Sequence, residues 1–233
     1  MKRLILLLAL APLLHAQTPE VEITAEPHHH LTFENKSVRV FNVEVPPNEA
    51  TLLHWHRHDY IAVTLAPAEI TNTVKDKPSA TVKFTAGDTR FAPATFAHVV
   101  RTTSPQPFRN VTVELLEDAA LRTSTAKWDA SKNEDRSLDI LPAGTIQILF
   151  VKDNVRVSET ELQPGAVIPL HHHAGPHLLI AVSDLDLRSD EKGKAPESTH
   201  LKAGESKWIP GGYSHTVTNT AKTPAKYVTL EFP

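Results

Sequence analysis

The chain repeats itself. A shift of 117 positions lays Val38-Arg39-Val40 on Val155-Arg156-Val157 and Pro47 on Pro164 without a gap. The same shift places His54 and His56 on His171 and His173, and Gly87, Pro93 and His98 on Gly204, Pro210 and His215. Near the ends of the two copies, Val111-Thr112-Val113-Glu114 falls on Val228-Thr229-Leu230-Glu231. A run of matches at one offset marks a duplication, so the fold must be built from two copies of a unit of roughly 100 residues. Val38 to Val45, Ile61 to Leu65 and Val111 to Leu115 are short, apolar or alternating, and rich in β-branched residues. So are their partners Val155 to Leu162, Leu178 to Val182 and Val228 to Phe232. Pro, Gly, Asn or Asp bounds each, which is how strands read. Neither copy shows a helical period. The expected fold is all-β: two tandem antiparallel barrels or jelly rolls over 17–117 and 140–233, joined by a polar linker over 118–139.

The beginning of the chain reads as a leader. Lys2 and Arg3 precede the apolar run Leu4 to Leu14, and Leu14-His15-Ala16 offers a cleavage site before Gln17. Residues 1–16 are therefore expected to be a signal peptide, and the protein secreted or periplasmic. The run is too short for a membrane span. A net charge of -3 without a basic stripe speaks against nucleic acid or an anionic membrane surface as partner. The chain has no cysteine, which removes disulfides, thiolate chemistry and cysteine-based zinc sites.

Histidine is the unusual component, with 14 in 233 residues. Two residues apart on a strand, His171 and His173 share a face, while His172 points away. His177 lies four residues on, where two strand periods can return it to that face. His215 must come from another strand, after the turn at Pro210-Gly211-Gly212. Four converging imidazoles suit a divalent transition metal. In the first copy His54, His56 and His98 hold the corresponding places, with an additional His58 two beyond His56. One extended strand carrying His54, His56 and His58 would span about 13 Å at roughly 3.3 Å per residue, too far for one ion unless the strand bends sharply, so His58 stands as a possible further ligand. The run His28-His29-His30 reads as a solvated patch or an incidental metal binder, and Glu114 and Glu231 as solvated strand-end carboxylates.

These segments resemble the two signature motifs of the cupin superfamily. The second motif, G-x5-P-x-G-x2-H-x3-N, is matched from Gly204 through Pro210, Gly212 and His215 to Asn219. The first, G-x5-H-x-H-x3-4-E-x6-G, is matched at Gly165, His171 and His173, with His177 in the glutamate slot and Asp184 at the last glycine. The resemblance implies a bicupin in which His171, His173 and His215 bind metal. The first copy departs further: Asn48, Tyr60, Pro67, Thr95 and Thr102 replace motif residues. There His54, His56 and His98 could still hold an ion, or the site is a degenerate one kept for packing. Tyr60 is the candidate catalytic or substrate-contacting side chain.

Four neutral histidines would leave a divalent ion at its full charge and favour anionic ligands such as enolates or carboxylates. Iron, manganese, nickel or cobalt would keep positions open for substrate, whereas zinc in a four-histidine tetrahedron would not. The function expected is a metal-dependent enzyme acting on a small oxygenated molecule, either a dioxygenase or a redox-neutral lyase or isomerase. The other reading is a non-catalytic metal or small-ligand binder of the cell envelope. Homo-oligomers are compatible with both. Oxalate decarboxylation is disfavoured, because that bicupin family keeps glutamate as a ligand in both barrels. The second copy, which keeps more of the motifs, is expected to be the functional one.

Overall fold

The computed structural model describes residues 20–116 and 138–233, with the side chains of 138–140 excepted. The leader, Gln17 and the linker as far as residue 137 lie outside the described residues. The first half contains β1 (Glu20–Glu22), β2 (His29–Glu34), β3 (Val38–Val45), β4 (Leu53–His56) and β5 (Tyr60–Thr64). It continues with β6 (Ala68–Val74), β7 (Ala80–Phe84), β8 (Thr89–Ala92), β9 (Phe96–Thr102) and β10 (Phe108–Leu115). The second half opens with β11 (Leu138–Leu141), two residues before the expected domain start, then β12 (Gly144–Lys152), β13 (Val155–Leu162), β14 (Val167–His173) and β15 (His177–Ala181). It closes with β16 (Leu185–Glu191), β17 (Glu197–Leu201), β18 (Ser206–Ile209), β19 (Tyr213–Asn219) and β20 (Ala225–Glu231). The single helical turn among the described residues is the 3-10 turn Ile23–Ala25. No helix among them is long and apolar enough to cross a membrane.

Each half is a two-sheet jelly roll. The first pairs the sheet β1-β4-β9-β6-β7 with β2-β3-β10-β5-β8, and the second pairs β11-β12-β13-β20-β15-β18 with β14-β19-β16-β17. The duplication extends to backbone conformation. Left-handed residues recur at Asn48 and Gly165, Asp76 and Gly193, Gly87 and Gly204, and Thr95 and Gly212, each pair 117 positions apart. Asn48 therefore does what its glycine counterpart does, as its tolerance of positive φ allows.

Strand alternation explains both the interiors and the join between the barrels. In β15 every residue of His177–Ala181 is buried. Leu179 and Ala181 face the interior of their own barrel with Leu185, Leu187 and Tyr227. Leu178 and Ile180 face outward, into a cluster containing Ile61, Val63, Val111 and Val113 of the first barrel. A strand buried on both faces reads as a continuous apolar run rather than an alternating one. Phe33 and Trp208 stack across the same junction, ring centroids 6.1 Å apart.

Candidate metal centres

In the second barrel β14 runs antiparallel to β19, with His171 opposite His215 and His173 opposite Tyr213. Alternation turns His171 and His173 to the interior and leaves His172 outside, hydrogen-bonded to Ser214 Oγ at 3.0 Å. The ligand nitrogens of His171, His173 and His215 lie within 4.8 Å of one another. Each ring is oriented from behind. His171 Nδ1 is 2.8 Å from the Pro169 carbonyl, His173 Nδ1 2.9 Å from Glu231 Oε1, and His215 Nδ1 2.6 Å from Ser189 Oγ. A proton held on Nδ1 leaves Nε2 with a lone pair, the arrangement of imidazoles that bind metal through Nε2. His215 Nε2 is buried with no hydrogen-bond partner. Burial lowers His171 and brings His215 down to about 4, so both stay neutral at physiological pH.

Glu231 corrects the sequence reading. The strand-end carboxylate is 3% exposed, held between His173 and the Arg156 guanidinium, whose Nε lies 3.0 Å from Oε2. Burial alone would raise its pKa, yet the His173 hydrogen bond and Arg156 bring it down to about 2.

The first barrel repeats this plan. His54 is opposite His98 on β4 and β9, and the nitrogens of His54, His56 and His98 lie within 4.8 Å of one another. His54 Nδ1 is 2.9 Å from the Leu52 carbonyl and His98 Nδ1 2.8 Å from Asn72 Oδ1. Leu52 and Asn72 occupy the positions of Pro169 and Ser189 under the repeat. His56 Nε2 and His98 Nε2 face each other at 3.1 Å, and His54 Nε2 is a buried atom with no partner. Three imidazole nitrogens converging in a buried space fit a transition-metal ion with an affinity for imidazole.

No protein-family model and no curated protein sequence matches the chain. Solved structures do. A single-residue mutant of the Bacillus subtilis oxalate decarboxylase superposes with a TM-score of 0.62 at 13% identity, over 87% of this chain and 74% of that one. The Bacillus subtilis enzyme at pH 4.6 gives 0.59 at 13% identity, over 84% and 68%. A third, described by the substrate binding mode and reaction specificity switch of oxalate decarboxylase, gives 0.60 at 13% identity, over 90% and 75%. The chain has the bicupin fold. An identity of 13% carries architecture only, so the chemistry of this chain has to be read from its own residues.

The glutamate slot holds a stacked ring in both barrels. His177 stacks on His173 with centroids 4.1 Å apart and an interplanar angle of 22°, and Tyr60 stacks on His56 at 4.1 Å and 23°. His177 is not on the strand of His171 and His173, as its spacing suggested. The turn at Gly175-Pro176 ends β14, and His177 opens β15 in the facing sheet, opposite Glu231. It is 3% exposed with Nδ1 unpartnered, and burial holds it down at about 3. Burial pushes the Tyr60 hydroxyl upward, so it stays protonated. His58 lies beyond β4, in the loop before β5. Glu114 is fully buried and paired with Arg39 at 3.1 Å, as Glu231 is with Arg156. Here the barrels differ: Glu114 Oε1 and His56 Nδ1 are both without a partner, where Glu231 and His173 are bonded.

His29 is the other correction. Its flanking histidines stay near the surface, but His29 packs on His54 with centroids 4.7 Å apart. The sequence signal was available in part, because alternation along β2 sends His29 and His30 to opposite faces. What a single sequence could not show is that β2 brings His29 against His54 of the first barrel's triad.

Proposed function

We propose that this bicupin is an exported metal-dependent enzyme that acts on a small organic anion, with the second barrel as its principal site. The observation that carries the reading is the orientation of His171, His173 and His215, each tied at Nδ1 with Nε2 directed to a common point. A cavity of about 410 Å³ opens onto that point, walled by Ile146, Ile168, Leu179 and Leu187. Apolar side chains beside the ion would lower the local dielectric and strengthen the attraction between ion and substrate anion. A metal held by neutral imidazoles would supply Lewis acidity and, if redox-active, a means of using oxygen.

The carboxylates lining the cavity are all engaged: Glu231 by Arg156 and His173, Glu191 by Lys194 at 2.9 Å, and Glu197 by Lys207 at 2.6 Å. With the three carboxylates that line the cavity each paired, and burial keeping the remaining unpartnered candidate, His177, a weak base, the site favours oxidative cleavage over lyase or isomerase chemistry that begins by proton abstraction. The fold shared with oxalate decarboxylase makes carboxylate substrates part of the test, although Tyr60 and His177 stand where that family has glutamate.

Oxygen uptake and carbon dioxide release would be followed with Fe(II)- and Mn(II)-loaded protein across β-diketones, catechols, flavonols and small carboxylates including oxalate. Oxygen-dependent turnover lost in His171→Ala is the expected result. Carbon dioxide release without oxygen uptake would replace the oxidative reading by a redox-neutral one. Stoichiometric metal without turnover would make the protein a binder. Elemental analysis should show second-barrel metal lost in His215→Ala and retained in His54→Ala. Export is tested by intact mass: the mature chain should begin at Gln17, and a secreted species carrying Met1 would reject the leader.

A further inference from the structure

The two barrels line their cavities with cations at the same repeat positions, but only the second supplies the matching anions. There Lys194 is paired with Glu191 at 2.9 Å and Lys207 with Glu197 at 2.6 Å, and all four line the cavity. A shift of 117 positions keeps both cations, as Lys77 and Arg90, and replaces the carboxylates by Val74 and Ala80. The first barrel's cavity, of about 550 Å³, is lined by Lys77 and Arg90 and by no carboxylate. Glu114, the counterpart of Glu231, pairs with Arg39 and does not reach it. Asp76, beside Lys77 in the turn, does not line the cavity and acts on Lys75. Burial keeps His56 and His98 neutral, and His29 is matched by the Glu26 carboxylate at 2.6 Å. The cavity therefore carries two positive charges that no lining group cancels.

Local structure sets the two charges apart. Val74 ends β6 opposite His98, and the turn that follows, closed by the Lys77 amide on the Val74 carbonyl at 2.9 Å, carries Lys77. Arg90 on β8 pairs with Ala62 and lies over the Phe84 ring, 4.5 Å from its centroid. That contact uses no hydrogen-bond donor, so the guanidinium keeps its N–H groups for a carboxylate. Along β7 the order is the turn of Lys77, then Val82, then Phe84 beneath Arg90, with Val82 and Phe84 lining the cavity. We propose that the first barrel binds a small aliphatic dicarboxylate without the help of a metal. One carboxylate is held by Arg90, the other by Lys77, and the chain between them lies against Val82, Phe84, Ile70 and Phe108. Both cations are exposed, where one ion pair contributes little, so binding needs both charges and the apolar walls together.

Adipate is the probe, with hexanoate and 1,6-hexanediol as its singly charged and neutral counterparts. Each is titrated calorimetrically into the full chain, as purified and after chelation and dialysis. One adipate per chain is expected, bound equally with and without metal, with hexanoate weaker and hexanediol not bound. Arg90→Gln should weaken adipate roughly tenfold, and Arg90→Lys should restore it to within about threefold of the parent. Lys77→Gln should weaken adipate about threefold and leave hexanoate unchanged. Ala80→Glu removes no cation but returns the carboxylate that the second barrel has, so it should weaken adipate as Arg90→Gln does. Thermal melts check that the variants fold. Adipate affinity unchanged in both Arg90→Gln and Ala80→Glu overturns the proposal, as does hexanediol binding as tightly as adipate. Adipate binding that disappears with the metal places the anion on a metal centre and overturns it too. Absence of any adipate binding does the same.

Discussion

A histidine becomes a metal ligand through what holds its other nitrogen, and the two barrels differ most at that level. Glu231 bonds His173, whereas Glu114, on the same repeat position and with the equivalent arginine partner, leaves His56 Nδ1 unbonded. Replacing the group behind a ligand usually costs about 10- to 100-fold in metal affinity. Glu231→Gln should therefore weaken second-barrel metal binding by about that factor, and Glu114→Gln should weaken the first barrel's by less than threefold. Chelator competition on variants with the other triad removed measures both, and equal losses would show that the Glu114 bond forms once metal is present. The histidines themselves were legible in the sequence, because spacing of two on a strand fixes a shared face. Glu231, Glu114 and His29 were not. A strand-end carboxylate and a histidine in a run of three are surface features in most chains, and only the packing of β20, β10 and β2 buries them.

At the scale of elements, the strands were legible because apolar alternation and the repeat reinforced each other. Val38–Val45 and Val155–Leu162 were bounded correctly from sequence. The placement of His177 failed because counting residues assumes one continuous strand, and Gly175-Pro176 breaks it. Turns carry their own record of the duplication. Thr95 adopts φ of 67° where its counterpart Gly212 has 83°. A β-branched residue in the left-handed region is strained by about 1–2 kcal/mol, partly offset by the lower entropy cost of fixing a non-glycine residue. Thr95→Gly is expected to stabilise the protein by up to about 1 kcal/mol, and Gly212→Thr to destabilise it by about 1–3 kcal/mol. Urea denaturation of the two variants checks this, and a destabilised Thr95→Gly would mean that the threonine side chain makes a compensating contact.

For the molecule as a whole, the shared cluster of Ile61, Val63, Val111, Leu178, Ile180 and Leu230 makes one barrel's outer face the other's packing surface. Unfolding either barrel would expose that face, so a single cooperative transition is expected. The buried histidines then impose a pH dependence on the entire fold. Free histidine titrates near 6.5, whereas burial puts His54 at about 4, His215 at about 4 and His177 at about 3. Between pH 6.5 and about 4 the unfolded chain binds protons that the native metal-free protein refuses. Stability must fall with pH across that window, by up to about 1.4 kcal/mol per pH unit for each such group. Glu231 acts in the same direction lower down. Its carboxyl, at about 2 in the fold against an ordinary 4.5, contributes stability that is lost as pH falls from 4.5 towards 2. Glu114 opposes them, since burial raises its pKa and protonation relieves the cost of the buried charge, but it is one group against several. Thermal melts of chelator-treated protein at pH 7.5, 6.0 and 5.0 should show Tm falling at each step. A Tm that holds level from about pH 6.5 to 4.5 would mean that the histidines are more accessible to protons than their burial indicates. Metal should steepen the fall, because its ligands must lose their protons to bind, so loaded and stripped protein should converge in Tm as the acid releases the ion.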